Sequence, residues 1–515
     1  MSRISHLVIV LAVFALVGAA CGGTTATSTN ASASAESGEL GQPGYWPTDG
    51  WRTSTPEEKG MDSGLLAEMM EYLQAQNGFG LHSLLIIRNG YMVTDAYFYP
   101  FAQSRSLHDL ASATKSFTSS LIGIAINKGY IEDVEQHVLD FFPERSVANI
   151  DANKEAMTLE DQLTMRPGFE CSHSPNDFTT FEMMDTQDWV QFVLDSSMAS
   201  EPGSRWVYCS PASHLLSAII QEASGMNALE FAQQHLFEPL GISDAIWASD
   251  PQGYTRGWSD LILTPHDMAK LGFLYLNEGE WDGQQLLPAD WVAAATGPLG
   301  SSTYGYQWWL HPYGYYANGA GGQRIFVFPD LDMVVVTTGD GGSDGMIAKL
   351  LNSYIFPAAE SETSLSANPD GVALLESSVQ QVAAAPQPEP VPPLPGIAHQ
   401  VSGQTYVLDE NPLGLVSASF TFQEGATDAL LNLSFIDGNQ AEWLIGLDSV
   451  FRISPGLYGL PVAVMGGWES DNVFVLQTDE MGKMQRDRMR MTFEDGLITI
   501  EIFSGATLTG RLAEQ

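Results

Sequence analysis

Leu84-Leu85-Ile86-Ile87-Arg88-Asn89-Gly90-Tyr91-Met92-Val93 decides how this chain folds. Two runs of strand-forming side chains meet at Asn-Gly, the dipeptide that best tolerates the positive backbone angles of a tight hairpin turn. A similar pair lies far downstream: Arg324-Ile325-Phe326-Val327-Phe328 and Met333-Val334-Val335-Val336, separated by Pro329-Asp330-Leu331-Asp332. Between the two pairs the pattern is mostly helical, for example over 215–223 and 268–276. Strands at both ends of a helical middle predict one antiparallel sheet completed by distant segments, with a helical subdomain inserted. That is an α+β domain over residues 46–357.

Working outward to the N-terminus, Arg3 and His6 precede an apolar run over 7–17, followed by Gly18-Ala19-Ala20-Cys21. The run is shorter than the roughly 20 residues of a membrane span. It has the charged, apolar and small-residue zones of a secretory signal. Residues 1–20 resemble a bacterial lipoprotein signal, with Cys21 as the lipidated first residue, although Gly18 stands where that signal more often has Leu. An ordinary signal peptide cut nearby is the other reading. Residues 21–45, rich in Gly, Ser, Thr and Ala, read as a flexible tether. Working outward to the C-terminus, residues 358–396 read as a helix (near 373–382) and a Pro-rich spacer (385–395) that marks a domain boundary. Residues 397–515 carry strand-like alternation, as in Ser417-Ala418-Ser419-Phe420-Thr421-Phe422 and Leu497-Ile498-Thr499-Ile500-Glu501-Ile502. They predict a small all-β barrel or sandwich.

Composition narrows the function. Of 515 residues, 62 are acidic and 21 basic, a formal charge of -41, which excludes a surface for nucleic acid or anionic lipid. At 44% hydrophobic the chain can bury large cores. Three cysteines are too few for a disulfide scaffold or a zinc ribbon. The ten histidines show neither an H-E-x-x-H pattern nor an i,i+4 pair, so no metal site is expected.

Ser112-Ala113-Thr114-Lys115 opens a helical run ending near Asn127-Lys128-Gly129. Residues three apart on a helix share a face, so Lys115 can reach the Ser112 hydroxyl. Free N–H groups at a helix start favour developing negative charge there. These are the requirements of a nucleophilic serine with a lysine proton acceptor, although an N-cap serine beside a solvated lysine has the same spelling. Two further elements follow: Tyr208-Cys209-Ser210 before the helical stretch 215–223, and Ala320-Gly321-Gly322-Gln323 leading into the strand at Arg324. Glycines before a strand let a substrate approach the backbone.

Ser-x-x-Lys, Tyr-x-Ser and a glycine-rich strand edge, in this order, resemble the β-lactamase and penicillin-binding-protein superfamily of serine hydrolases. The likeness is to the class C-related branch of esterases, D-amino-peptidases and 6-aminohexanoate-dimer hydrolases. Further matches are 158–165 (TLEDQLTM), 237–242 (FEPLGI) and 263–268 (LTPHDM), so the resemblance spans about residues 50–357. It implies a β-lactamase-like antiparallel sheet flanked by helices. It also implies Ser112 as nucleophile, Lys115 as its proton partner, Tyr208 as general acid/base, and Ser210 hydrogen-bonding Lys115 or substrate. Gly321 and Gly322 would lie along the substrate, with the Ser112 and Gln323 N–H groups forming an oxyanion hole. No metal or organic cofactor is implied.

Ala320 departs from that pattern, which places Lys or His there to bind a carboxylate. Its presence points away from β-lactams and peptide C-termini, toward small neutral esters or amides. The expected function is an exported, lipid-anchored serine hydrolase working through an acyl-enzyme on Ser112, on the periplasmic or cell-surface side of a bacterial membrane. The alternative is a penicillin-binding-protein-like acylated binder, or a D-amino-peptidase, with little turnover. Cys171 and Cys209 fall in loops that the resemblance places around the cleft; they form a disulfide in an exported protein or remain two buried thiols. Gly341-Gly342-Ser343-Asp344-Gly345 spells a nucleophile elbow but has no suitable downstream acid and histidine pair, and reads as a strand-to-helix turn. His214 reads as a packing residue, and Trp258, Trp308 and Trp309 as pocket or core. In so acidic a chain, Lys115 must be dehydrated and shielded, or coupled to Tyr208 as a shared proton site, to accept a proton, which predicts a buried Lys115 with no carboxylate in direct contact.

Overall fold

The computed structural model describes residues 44–513, apart from 77–79, 104–106, 173–177, 300–301, 342–343, 458–459, 485 and 504. Cys21, the signal-like segment and the tether up to residue 43 lie outside the described residues, as do Gly342 and Ser343. Among the described residues no helix is long and apolar enough to cross a membrane.

The Asn-Gly hairpin forms where the sequence places it. Strand β1 (Leu81–Arg88) turns into β2 (Tyr91–Tyr97) through Asn89 and Gly90, whose φ angles of 50° and 72° suit a tight primed turn. Four strands from the far end of the domain complete the sheet: β3 (Trp309–His311), β4 (Gly314–Gly319), β5 (Gln323–Phe328) and β6 (Met333–Gly339). The order is β2-β1-β6-β5-β4-β3, antiparallel throughout, with Val335 of β6 opposite both Ile86 and Phe326.

These strands read as continuous apolar runs because both faces of the sheet are covered. Leu85, Ile87, Ile325, Val327, Val334 and Val336 enter one core. It is filled from helices α2 (Thr114–Asn127), α3 (Ser210–Ser224) and α4 (Pro265–Leu276). Leu84, Ile86, Phe326, Phe328 and Val335 enter a second core with α1 (Ser63–Ala75) and α5 (Pro369–Ala383). Successive side chains on a strand thus feed opposite cores.

Helix α2 runs through the larger core and is buried from Thr114 to Ala125. A helix enclosed on all sides must satisfy its polar groups internally. Ser116 donates to the Gln307 carbonyl (2.7 Å), Thr118 to the Gly257 carbonyl (2.8 Å) and Ser120 to the Ser116 carbonyl (2.8 Å).

The C-terminal part is an all-β barrel. Its ten strands are β7 (Thr405–Leu408), β8 (Leu415–Thr421), β9 (Asp428–Phe435), β10 (Gln440–Gly446), β11 (Arg452–Pro455), β12 (Pro461–Ser470), β13 (Val473–Glu480), β14 (Arg486–Glu494), β15 (Leu497–Ile502) and β16 (Thr507–Leu512). They run in the order β10-β9-β8-β7-β16-β15-β14-β13-β12-β11, and β10 also meets β12, which closes the circle. Phe420, Phe422, Trp468, Phe474 and Phe493 fill the inside with mutually touching rings.

The Pro-rich stretch does not hold the barrel at a distance. Val391 and Leu394 pack against the barrel core, the Glu389 N–H donates to the Asp448 carbonyl (2.9 Å), and Ser449 donates to the Glu389 carboxylate (2.9 Å). Extended, proline-stiffened backbone costs little entropy to lay down as a strap. The barrel also touches the sheet domain directly. The Phe451 N–H donates to the Tyr99 hydroxyl at 2.6 Å, 352 positions away, and Met481 packs with Phe101 and Ala463. Residues Gly38–Gln515 form one compact unit.

Since α2 is a core element, Phe117→Ala is expected to cost about 3–5 kcal/mol in urea unfolding. A loss under about 1 kcal/mol would contradict the placement of this helix.

Candidate active site

Ser112 sits in a 3₁₀ turn (Ala111–Ala113) immediately before α2, rather than inside the helix. The turn is held on both sides. The Asp109 carboxylate accepts the Ala111 N–H (2.8 Å), and the Leu110 N–H donates to the Leu261 carbonyl (2.8 Å). Ala111 carries a φ of 45°, a conformation uncommon for a residue with a side chain, which persists only where the surroundings fix it. Ser112 is partly exposed, whereas Lys115, one turn on, is 1% exposed.

Lys115 Nζ lies 3.1 Å from Ser112 Oγ, donates to the Trp258 carbonyl at 3.0 Å, and sits 4.8 Å from the centre of the Tyr208 ring. Among the described residues no carboxylate forms an ion pair with it. The second hydrogen bond of Nζ goes to a backbone carbonyl. Ser210 is buried at the first position of α3.

Tyr208 is pinned from several sides. Cys171 and Cys209 are joined in a disulfide with Cα atoms 6.0 Å apart, and the Val207 N–H donates to the Met165 carbonyl (2.8 Å). Tyr208, Trp206, Tyr304 and Trp309 touch one another in every pairing, with centroids 4.9–6.5 Å apart. Trp309 stacks on Tyr208 at an interplanar angle of 27°, while Trp308 is wholly buried against Tyr275. Burial, and then the neighbouring Tyr208, push the Tyr304 phenol well above its ordinary range, so it stays protonated. This aromatic wall limits the positions open to the Tyr208 ring.

The third element is a hairpin turn, Ala320–Gly322, between β4 and β5. Thr337 donates to the Gly322 carbonyl (2.7 Å), and the Gln323 side-chain amide donates to the Gly339 carbonyl (2.5 Å). The strand leading into this turn lies against the Ser112 turn: a Cβ on Gly319 would come within 3.1 Å of the Ala113 nitrogen. Only glycine allows the strand edge to approach the Ser112 turn this closely. The structure therefore brings Ser112, Lys115, Tyr208 and the glycine turn to one place.

Groups that the sequence assigned no part in the site hold this place together. The Trp258 carbonyl is backbone and carries no sequence signature. Trp258 itself rests edge-on against His214 (5.2 Å), a wholly buried histidine whose Nε2 lies 3.3 Å from Asp250. Burial holds the His214 imidazole below its ordinary range despite Asp250, consistent with a neutral packing residue. Asp109 is the other omission. Burial, and then the charge of Asp260, raise its carboxyl to about 6.

An antiparallel sheet with helices on both faces, and a serine at the head of the central helix facing a lysine, is the arrangement of the beta-lactamase fold. The family model for beta-lactamase matches residues 66–358, more than half of the chain, and the chain belongs to that family. Penicillin-binding protein 4* of Bacillus subtilis (strain 168) is 27% identical over 146 residues, 28% of this chain and 31% of that protein. The chain thus aligns with about a third of the length of that relative. A solved protein from Bacillus anthracis, provisionally named a 6-aminohexanoate-dimer hydrolase, shares the fold. Its TM-score is 0.51 at 20% identity, over 63% of this chain and 91% of that one. A family VIII carboxylesterase aligns at a TM-score of 0.46 and 14% identity, over 64% of this chain and 98% of its own.

Two outcomes follow from this geometry. Reducing the Cys171–Cys209 bond, whose ends are 38 residues apart, is expected to lower stability by about 3–4 kcal/mol in urea unfolding; an unchanged midpoint would contradict it. Asp109 has a raised carboxyl in the folded state, so its stabilising contribution is present at low pH and lost as pH rises through about 6. Asp109→Asn should therefore gain stability relative to wild type between pH 4.5 and 7.5. The opposite trend in urea midpoints would refute this.

Proposed function

We propose that this chain is an exported serine hydrolase that cleaves small neutral esters or amides through an acyl-enzyme on Ser112. One observation carries the reading: Lys115 Nζ, buried and without a carboxylate ion pair among the described residues, lies 3.1 Å from the partly exposed Ser112 Oγ. Proton transfer from a hydroxyl to an amine requires the two atoms within hydrogen-bond reach, and Ser112 Oγ and Lys115 Nζ are.

Ser112 Oγ attacks the substrate carbonyl as its proton passes to neutral Lys115, with Tyr208 beside both. The oxyanion is stabilised by the N–H groups of Ser112 and Gln323, where one such donor is worth about 3–4 kcal/mol of barrier. The proton then moves to the leaving alcohol or amine through Lys115 and Tyr208, and the leaving group departs. Water, giving its proton back along the same groups, attacks the ester on Ser112 and releases a carboxylic acid. Ala320 supplies no cation beside the glycine turn, which favours substrates without a carboxylate there.

The disulfide supports export, because such bonds persist in oxidising compartments. Lipidation at Cys21, and anchoring to a bacterial membrane through it, completes the proposal. Intact mass of the membrane-extracted protein, with and without Cys21→Ser, tests the anchor.

For the activity, purified protein is given p-nitrophenyl esters, short amides and a chromogenic cephalosporin. Turnover is expected on neutral esters or amides, falling at least about 10³-fold in Ser112→Ala and about 10²–10⁴-fold in Lys115→Ala. Turnover insensitive to Ser112→Ala overturns the reading. Stoichiometric acylation of Ser112 without turnover would instead make the chain an acylated binder of the penicillin-binding-protein kind.

A further inference from the structure

The barrel reaches into the site just described. The hairpin between β13 and β14 projects residues Met481–Met484 against both halves of the cleft. On the nucleophile side, the Gly482 carbonyl accepts the Asp109 N–H at 2.7 Å. Asp109 is the residue whose carboxylate holds the Ala111 N–H, one position before Ser112. On the glycine side, the Met484 side chain lies over Gly321: a Cβ there would stand 2.6 Å from both Met484 Cγ and Sδ.

The base of the hairpin is fixed to the same region. Arg486 bridges Asp479 (2.8 Å) and Asp340 (2.5 Å), and Asp340 follows Gly339, whose carbonyl takes the Gln323 side-chain amide. Met481 is wholly buried between Phe101 and Ala463. The hairpin is therefore anchored at its root and at its first tip residue. Met484, at 38% exposure, covers the glycine turn with one side of its thioether and presents the other to open space.

We infer that this barrel hairpin forms the substrate-cleft wall beside the glycine turn, with Met484 setting how large a group the site accepts there. The inference rests on the hydrolase reading above. A thioether on an unbranched stem is apolar and adaptable, so it receives alkyl groups and offers nothing to an ionised one. The barrel is then a component of the site and not a separate module.

Full-length wild type, Met484→Ala and Met484→Leu are compared on two series of p-nitrophenyl and alkyl esters, one varying the acyl chain and one the alcohol. Each series runs from one to six carbons. In at least one series Met484→Ala is expected to raise the kcat/KM ratio of the longest over the shortest substrate threefold or more, chiefly through KM. Met484→Leu should return that ratio to within twofold of wild type. Ratios that move less than threefold in both series, or a shift that leucine does not reverse, overturn the inference. Wild type without turnover removes the hydrolase reading and this one with it; turnover with unmoved ratios removes this one alone.

Discussion

The beta-lactamase-fold half of the molecule is arranged around one buried amine. Lys115 has left water for a site where its partners are a hydroxyl, a backbone carbonyl and the face of a phenol ring. Burying such a group is costly unless its hydrogen bonds are met, and each of the three partners comes from a different part of the chain. Ser112 comes from the turn before α2, Trp258 from the loop before α4, and Tyr208 from the loop before α3. The core between α2, α3 and α4 is what brings those loops to one point. In a chain of formal charge -41, the absence of an ion pair to this amine among the described residues is a selective arrangement of neutral groups.

The sheet was legible in the sequence because its signals are local. Asn89-Gly90 demands a tight turn, and apolar runs as long as 84–87 and 333–336 leave no face for solvent. That distant runs complete one sheet followed from their arrangement at opposite ends of a helical stretch, while the pairing of β1 with β6 is seen only in the structure. The approach of Lys115 to Ser112 was legible for the same reason, since residues three apart share a face in a 3₁₀ turn as in an α-helix, and Ser112 lies in the turn before α2.

The remainder depends on contacts that leave no local trace. The second Lys115 hydrogen bond goes to the Trp258 carbonyl, a group that every residue type possesses and no spelling announces. Asp109 looks like any loop acid until Asp260 and the surrounding burial are known. The Pro-rich stretch was legible as extended backbone, but its composition does not say whether such backbone stands free or lies on a neighbour. Here Val391 and Leu394 give it apolar purchase on the barrel.

The hydrogen bond from the Asp109 N–H to the Gly482 carbonyl has a bearing on when the protein becomes complete. A polypeptide emerges from its N-terminus, and early segments collapse before late ones exist. The turn that positions Ser112 is made in the first quarter of the chain, but one of its supports arrives only with the hairpin between β13 and β14. A nascent or truncated chain can therefore hold all three signature motifs and still lack a finished nucleophile turn. Completion of the site is thus tied to a late part of synthesis, through this backbone contact together with Met484 over Gly321 and Arg486 on Asp340.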